Sequence, residues 1–261
     1  MTGSEVPPQF RLAYVPGVTP TKWVRIWNER LPDVPLTLVP VSPAEAPGVL
    51  RAGGADAGFV RLPVDRTELS AIPLYTETTV VVVPKDHIVA AVEEISTGDL
   101  ADEIVLHPLD DTLGWESLPG RPAIERPATT ADAIELVAAG VGVLVVPQSL
   151  ARLHHRRDLT YRPVTGAPES RVALSWPEAE TTPDLVEEFI GIVRGRTVNS
   201  TRGRKQDPAP ASAQPKGKRP EKAAGAARKA AKPAPGKGAR GGSGGTKGAK
   251  STGRGKPRRG R

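Results

Sequence analysis

The chain has 261 residues, 38% of them hydrophobic and 25% charged, with a formal net charge of +7 and no Cys. That length suffices for one sound core or two small lobes, and the lack of Cys excludes a disulfide framework and thiolate chemistry. The net charge conceals two different polymers: residues 201–261 hold 19 Lys and Arg against 2 acids, a net of +17, which leaves 17 against 27, a net of −10, in residues 1–200.

Residues 1–9 have no basic region followed by an apolar run, and no stretch of the chain is long and apolar enough to span a bilayer. The expectation is a disordered start in a soluble, cytoplasmic protein with no membrane partner. Residues 10–15 alternate as a strand does, and Pro16-Gly17-Val18-Thr19-Pro20 breaks them. Trp23, Ile26, Trp27 and Leu31 then recur at helical spacing, which predicts a helix capped by Thr19 with Pro20 in its first position. Pro32-Asp33 ends that helix, and residues 34–39 form a second strand. Ser42-Pro43-Ala44-Glu45 has the form of a capping box and opens a short helix. Residues 57–60 are a short buried strand. Strand, helix, strand, helix, strand favours an α/β domain with a parallel sheet.

Residues 75–83, ending in four consecutive valines before Pro84, are the strongest strand in the chain. Residues 88–100 are helical or turn-rich. Residues 104–107 begin a second sheet, and 108–127 are irregular. Thr129-Thr130 caps a helix carrying Ile134 and Val137, which Gly140 stops. Residues 141–147, 159–163 and 172–176 are further strands. Thr182-Pro183-Asp184 opens a last helix with Leu185, Val186, Phe189, Ile190 and Val193 on one face.

From Thr201 onward there is no Val, Ile, Leu, Met, Phe, Tyr or Trp. Nothing there offsets the entropy of ordering, so residues 196–261 are expected to be a disordered basic tail. Its cations suit phosphates, without sequence preference and with steep salt dependence. Lys216, Lys218, Arg219, Arg228, Lys229, Lys232, Arg254, Lys256, Arg258, Arg259 and Arg261 are the residues assigned to nucleic acid, DNA or RNA. No aromatic residues are interleaved, so base stacking contributes nothing. Two alternatives stay open: the tail lies on the acidic body, or it is a solubilising extension.

The order of motifs resembles the effector-binding domain of LysR-type transcriptional regulators. LPDVPLTL at 31–38 is similar to that family's YPDVEL turn and strand, and LRAGGADAGFV at 50–60 to its L..G.LD.GI segment. PL at 73–74 followed by VVVVPKDH at 80–87 is similar to PL..E.LVLVVP..HPLA. LVAAGVGVLVVP at 136–147 is similar to LVAAGLGVALLP. The resemblance covers roughly residues 10–195. It implies two Rossmann-like α/β lobes of the type II periplasmic-binding-protein fold, joined by two crossing strands, with a ligand between them. Lobe 1 takes residues 10–84 and 164–195, and lobe 2 takes 85–163. The family places a winged helix-turn-helix before this domain, and this sequence opens on the domain itself, which puts base-specific promoter reading in doubt. The resemblance also implies a homodimer.

In that fold, helix N-termini hold ligand anions. The resemblance points Thr19, Thr21 and Lys22 of one lobe, and Thr129 and Thr130 of the other, at the cleft. The alternative for the threonines is a plain cap. Arg61 follows the strand 57–60, at an edge where open sheets bind ligands, and its fork suits a carboxylate; a solvated loop arginine is the alternative. His107, with Asp110, occupies the matching edge of the second lobe, or is a satisfied loop histidine. Trp115 lines the cleft or covers an edge.

Catalysis has little support in the sequence. There is no G-x-S-x-G, no Cys nucleophile and no phosphate loop with its Lys. Two enzyme types share the implied fold, but the motif expected of prephenate dehydratases and the cofactor-holding Cys of porphobilinogen deaminases are missing. His154-His155 stand among Arg152, Arg156 and Arg157, and adjacent residues in cationic surroundings do not make a metal site. No cofactor is expected. The leading expectation is a sensor that binds a small, anionic effector and reaches nucleic acid through its tail. One alternative is a structural nucleic-acid-binding protein whose body serves for dimerisation. A transport solute-binding protein is another.

Overall fold

The alternating residues at the start become strand β1 (Phe10–Tyr14) in the computed structural model, which describes residues 8–196. Helix α1 (Thr21–Arg30) follows and buries Trp23 and Trp27, on the face that the spacing marks. Strand β2 (Leu36–Pro40), helix α2 (Ala46–Arg51) and strand β3 (Ala57–Leu62) complete the expected alternation. β1 runs parallel to both β2 and β3.

Strand β4 (Leu69–Glu77) joins the same sheet, and at Thr78 the chain leaves it. Strand β5 (Thr79–Pro84) belongs to a second sheet. The single strand expected over 75–83 is therefore two, and the lobe boundary expected after residue 84 falls at 78. Burial supplies the reason. Val80 and Val82 point into one apolar cluster of the second lobe, and Val81 and Val83 into another on the opposite face. A run of valines hidden on both faces needs the centre of a covered sheet, not a crossing between lobes.

Two 3-10 turns, Ile88–Ala91 and Thr97–Leu100, flank strand β6 (Ile95–Ser96), where helix or turn was expected. Strand β7 (Ile104–Leu106) precedes the stretch expected to be irregular, and the two-residue strand β8 (Arg121–Pro122) lies within it. Helix α3 (Thr130–Ala138), strand β9 (Val143–Pro147), helix α4 (Gln148–Leu153) and strand β10 (Leu159–Thr165) complete the second lobe. Its six strands lie in the order β6-β10-β5-β9-β7-β8.

Strand β11 (Ser170–Pro177) returns to the first sheet, whose order is β2-β1-β3-β11-β4, and helix α5 (Asp184–Val193) covers it. The returning boundary expected at 164 lies between Thr165 and Ser170, because β10 stays paired with β5 and β6 to its end. The two crossings are tied together: the Thr79 hydroxyl donates to the Pro168 carbonyl at 2.7 Å.

The start of α1 differs from expectation. Its helical bonds begin at the carbonyl of Pro20, which accepts from the amides of Trp23 and Val24, and no side chain caps it. Proline, already near helical φ, takes the cap position itself. The Thr19 hydroxyl is left without a hydrogen bond among the described residues, and the residue is exposed. The segments expected to be disordered, 1–9 and 196–261, lie outside the described residues except for positions 8, 9 and 196, and so do all the cations assigned to nucleic acid. Among the described residues no helix is long and apolar enough to cross a membrane.

Trp27 is the anchor of the first lobe. It is fully buried, stacks on Phe10 at 4.5 Å between ring centroids, meets Phe189 at 5.8 Å, and donates its indole N–H to the Val34 carbonyl at 2.9 Å. Trp27→Ala is expected to cost about 3–5 kcal/mol, read as a lower midpoint in urea unfolding. A loss under about 1 kcal/mol contradicts this packing.

Candidate functional site

Between the lobes lies a cavity of about 820 Å³, within the range of small-molecule sites. The first lobe supplies Tyr14, residues 16–19 from the turn after β1, and residues 40–42 with Glu45 from the approach to α2. The second supplies Ser149, Arg152 and Leu153 of α4. Each wall is positioned by local chemistry. Ser42 and Glu45 make the reciprocal bonds of the expected box, but in the turn before α2, whose cap position is Glu45 with no side-chain cap among the described residues: the Ser42 hydroxyl donates to the Glu45 carboxylate at 2.7 Å, and the Glu45 amide donates back to Ser42 Oγ at 3.2 Å. These bonds, the hydroxyl first, hold the Glu45 carboxyl below its ordinary pKa.

At the cavity's margin the lobes touch. Gly17 has φ +86°, and a Cβ there would lie 2.4 Å from Ser149 Oγ, so only Gly serves this turn. Arg61, from β3, is buried beside it, its side chain 4% exposed. One terminal nitrogen donates to the Glu77 carboxylate, itself 7% exposed, and to Ser170 Oγ. The other donates to the Pro16 carbonyl at 3.1 Å and to Ser149 Oγ at 3.2 Å. Arg61 Nε is buried with no partner among the described residues.

Of the seven residues expected to bind ligand, only Thr19 lines this cavity. Thr21 is exposed at the first turn of α1, and Lys22 lies over the Trp23 ring, its Nζ 4.3 Å from the centroid. Thr129 caps α3 in a reciprocal box with Asp132, with Oγ1 2.8 Å from the carboxylate. The buried Thr130 donates to Asp110 at 2.9 Å. His107 faces Asp111 at 3.6 Å, and its carbonyl accepts from Arg126. Arg61 is not a solvated loop residue, because its charge already meets a carboxylate of the chain. Trp115 packs against the second lobe's core. No group of acids and histidines among the described residues has the makings of a metal site.

Ser149 and Arg152 are the polar residues of the second lobe's wall, and sequence reasoning misses both. They sit on α4, a six-residue helix with no side-chain cap, directly after a strand that ends in Pro147. The one sequence signal is the pair Leu150 and Ala151, which the helix buries.

Two curled α/β sheets joined by two crossings, with a cavity between them, define a two-lobed ligand-binding domain of the type II periplasmic-binding fold. The model of the LysR substrate binding domain matches residues 7–197, and the chain belongs to that family. Curated relatives include the Hca operon transcriptional activator HcaR of Escherichia coli K12, 27% identical over 74% of this chain and 69% of its own length. The probable hydrogen peroxide-inducible genes activator of Mycobacterium avium is 28% identical over 71% of this chain and 63% of its own. That of Mycobacterium leprae is 32% identical over 57% and 52%. This chain thus spans about half to two thirds of these regulators' lengths. Among solved structures, the BenM effector-binding domain with its effector benzoate aligns with a TM-score of 0.62 at 20% identity, over 73% of this chain and 92% of that one. The oxidized form of OxyR aligns with a TM-score of 0.60 at 21% identity, over 72% and 95%.

The Arg61–Glu77 pair generates a stability prediction. Glu77→Ala strands a buried guanidinium and is expected to cost about 3–5 kcal/mol, whereas the double variant Arg61→Met/Glu77→Leu recovers much of that loss. Urea unfolding of the single and double variants checks it. Equal losses in both assign the cost to packing and not to charge.

Proposed function

We infer that the cavity between the lobes is an effector site and takes a small metabolite that bears a carboxylate. The observation that carries this reading is a wall supplied by both lobes, so that an occupant touches the two bodies at once. A ligand that contacts both favours their closed arrangement by the difference in its affinity for the two states. Arg152, the Ser149 hydroxyl and the free Thr19 hydroxyl are donors suited to an anionic group. Benzoate, the effector of BenM, is such an anion. Some relatives are named for hydrogen peroxide, but this sequence has no Cys, so a thiol-based response has no residue to carry it.

The role is regulatory rather than catalytic, in line with relatives named as transcriptional regulators. The basic tail brings the domain to nucleic acid without reading sequence: its +17 supplies phosphate neutralisation, and the acidic body opposes it. A second copy of the chain is the further partner in this reading.

Two measurements test it. The first is a thermal-shift screen of the full chain against carboxylate metabolites, followed by calorimetry on Thr19→Val and Thr130→Val. Thr19→Val is expected to weaken a hit about fivefold, the worth of one hydrogen bond. Thr130→Val is expected to lower stability and leave affinity alone. The reverse pattern removes the cavity from the site. The second is electrophoretic retention of duplex DNA across a salt series. The full chain is expected to bind with a steep salt dependence, and a chain ending at residue 200 not at all. A truncated body that binds with an unchanged salt slope refutes the assignment to the tail.

A further inference from the structure

We propose that the effector is a zwitterion, with its carboxylate against Arg152 of the second lobe and a cationic nitrogen against Glu45 of the first. This rests on the cavity being the effector site, and names the chemistry that the site selects.

The charges on the wall carry the inference. Among the described residues, Glu45 and Arg152 are the two charged ones lining the cavity, one from each lobe. The nearby third charge, Arg61, is already neutralised at the margin by Glu77. Both wall charges have capacity left over. Glu45 receives the Ser42 amide and hydroxyl on Oε2, at 3.3 and 2.7 Å, and Oε1 has no partner among the described residues. Arg152 donates through Nε to the Tyr161 hydroxyl at 3.2 Å, and its terminal nitrogens have no partner among the described residues. The Ser42 hydroxyl and amide hold the Glu45 carboxyl below its ordinary pKa, and the first lobe presents that carboxylate to the cavity.

A simple carboxylate placed at Arg152 gains one pair and meets repulsion from Glu45. A simple amine has the converse problem. A molecule with both groups satisfies both walls, and it does so across the lobes, which are drawn together as each pair loses water. Val18, Val41 and Leu153 line the same cavity and suit an aliphatic stem between the two ends. The Thr19 and Tyr14 hydroxyls, without partners among the described residues, are further acceptors for an ammonium group.

The test uses the full chain and four probes: 6-aminohexanoate, 4-aminobutyrate, hexanoate and hexylamine. Thermal shift and calorimetry are expected to show at least one amino acid binding roughly threefold to tenfold more tightly than either singly charged probe. Glu45→Gln keeps an acceptor for the bonds from Ser42, since Gln serves in the same reciprocal pattern, and is expected to erase the advantage over hexanoate. Arg152→Gln is expected to erase the advantage over hexylamine. Hexanoate binding as well as the amino acids, a preference that survives Glu45→Gln, or no binding by any of the four overturns the zwitterion. Leu153→Arg, which fills the cavity from an exposed position, separates the two levels. If hexanoate binding is lost in that variant, the effector site stands without the zwitterion. If every probe binds the variant unchanged, the site itself is wrong and the zwitterion falls with it.

Discussion

A single buried guanidinium organises the junction on which both lobes depend. Arg61 has five N–H donors, and four of them reach parts of the chain 16 to 109 residues away: Glu77 at the end of β4, Ser170 at the start of β11, the carbonyl of Pro16, and Ser149 of α4. The first two flank the crossings between the sheets, and the last two face each other across the cavity margin. Taking a charge this far out of water is costly, and the Glu77 carboxylate roughly offsets that cost instead of adding stability. What the arrangement supplies is geometry. Hydrophobic contacts would let α4 slide against the turn at Gly17, whereas a planar fork with fixed acceptors holds the spacing at this margin and leaves the walls beyond it free to approach. Gly17 completes it by leaving room for Ser149 where any side chain would collide.

The same junction explains which parts of the molecule were legible in the sequence. Elements set by local rules were readable. The tryptophan face of α1, the Ser42–Glu45 box, the Gly140 stop and the apolar face of α5 each rest on residues within one or two turns of each other. The crossings were not readable, because the sheet that claims residues 79–84 is decided by pairing with β9 and β10, 62 to 83 residues further on. Alternation and apolarity identify a strand but not its neighbours. Arg61 failed for the same reason. Its position after a strand suggested a free cation, and only Glu77 and Ser170, remote in sequence, make it a buried and neutralised one.

The threonines show a second limit. Thr19, Thr129 and Thr130 look alike as residues before a helix, and sequence cannot tell a hydroxyl that caps from one left over. The difference lies in the backbone. Thr129 has the extended conformation that lets its side chain reach Asp132, and the box closes. At α1 the proline takes the cap position, and the Thr19 hydroxyl is released to the cavity wall. Helix-start grammar thus located the candidates and could not rank them.

Charge ties these observations together. A body carrying −10 has no general attraction for an anionic ligand, so a carboxylate can be held only where a cation is both near and unspent. Arg61 is near and spent, and Lys22 is occupied over an indole ring. Arg152 is near and has no carboxylate partner among the described residues, but it faces Glu45 across the same cavity. Selection in such a cleft comes less from attraction to either wall than from the cost of leaving one wall charge unpaired as the lobes approach. That cost rises as water leaves, so the discrimination is sharpest in the closed arrangement. The rigid junction at Arg61 then sets how closely the walls can come, and with it the length of molecule able to reach both.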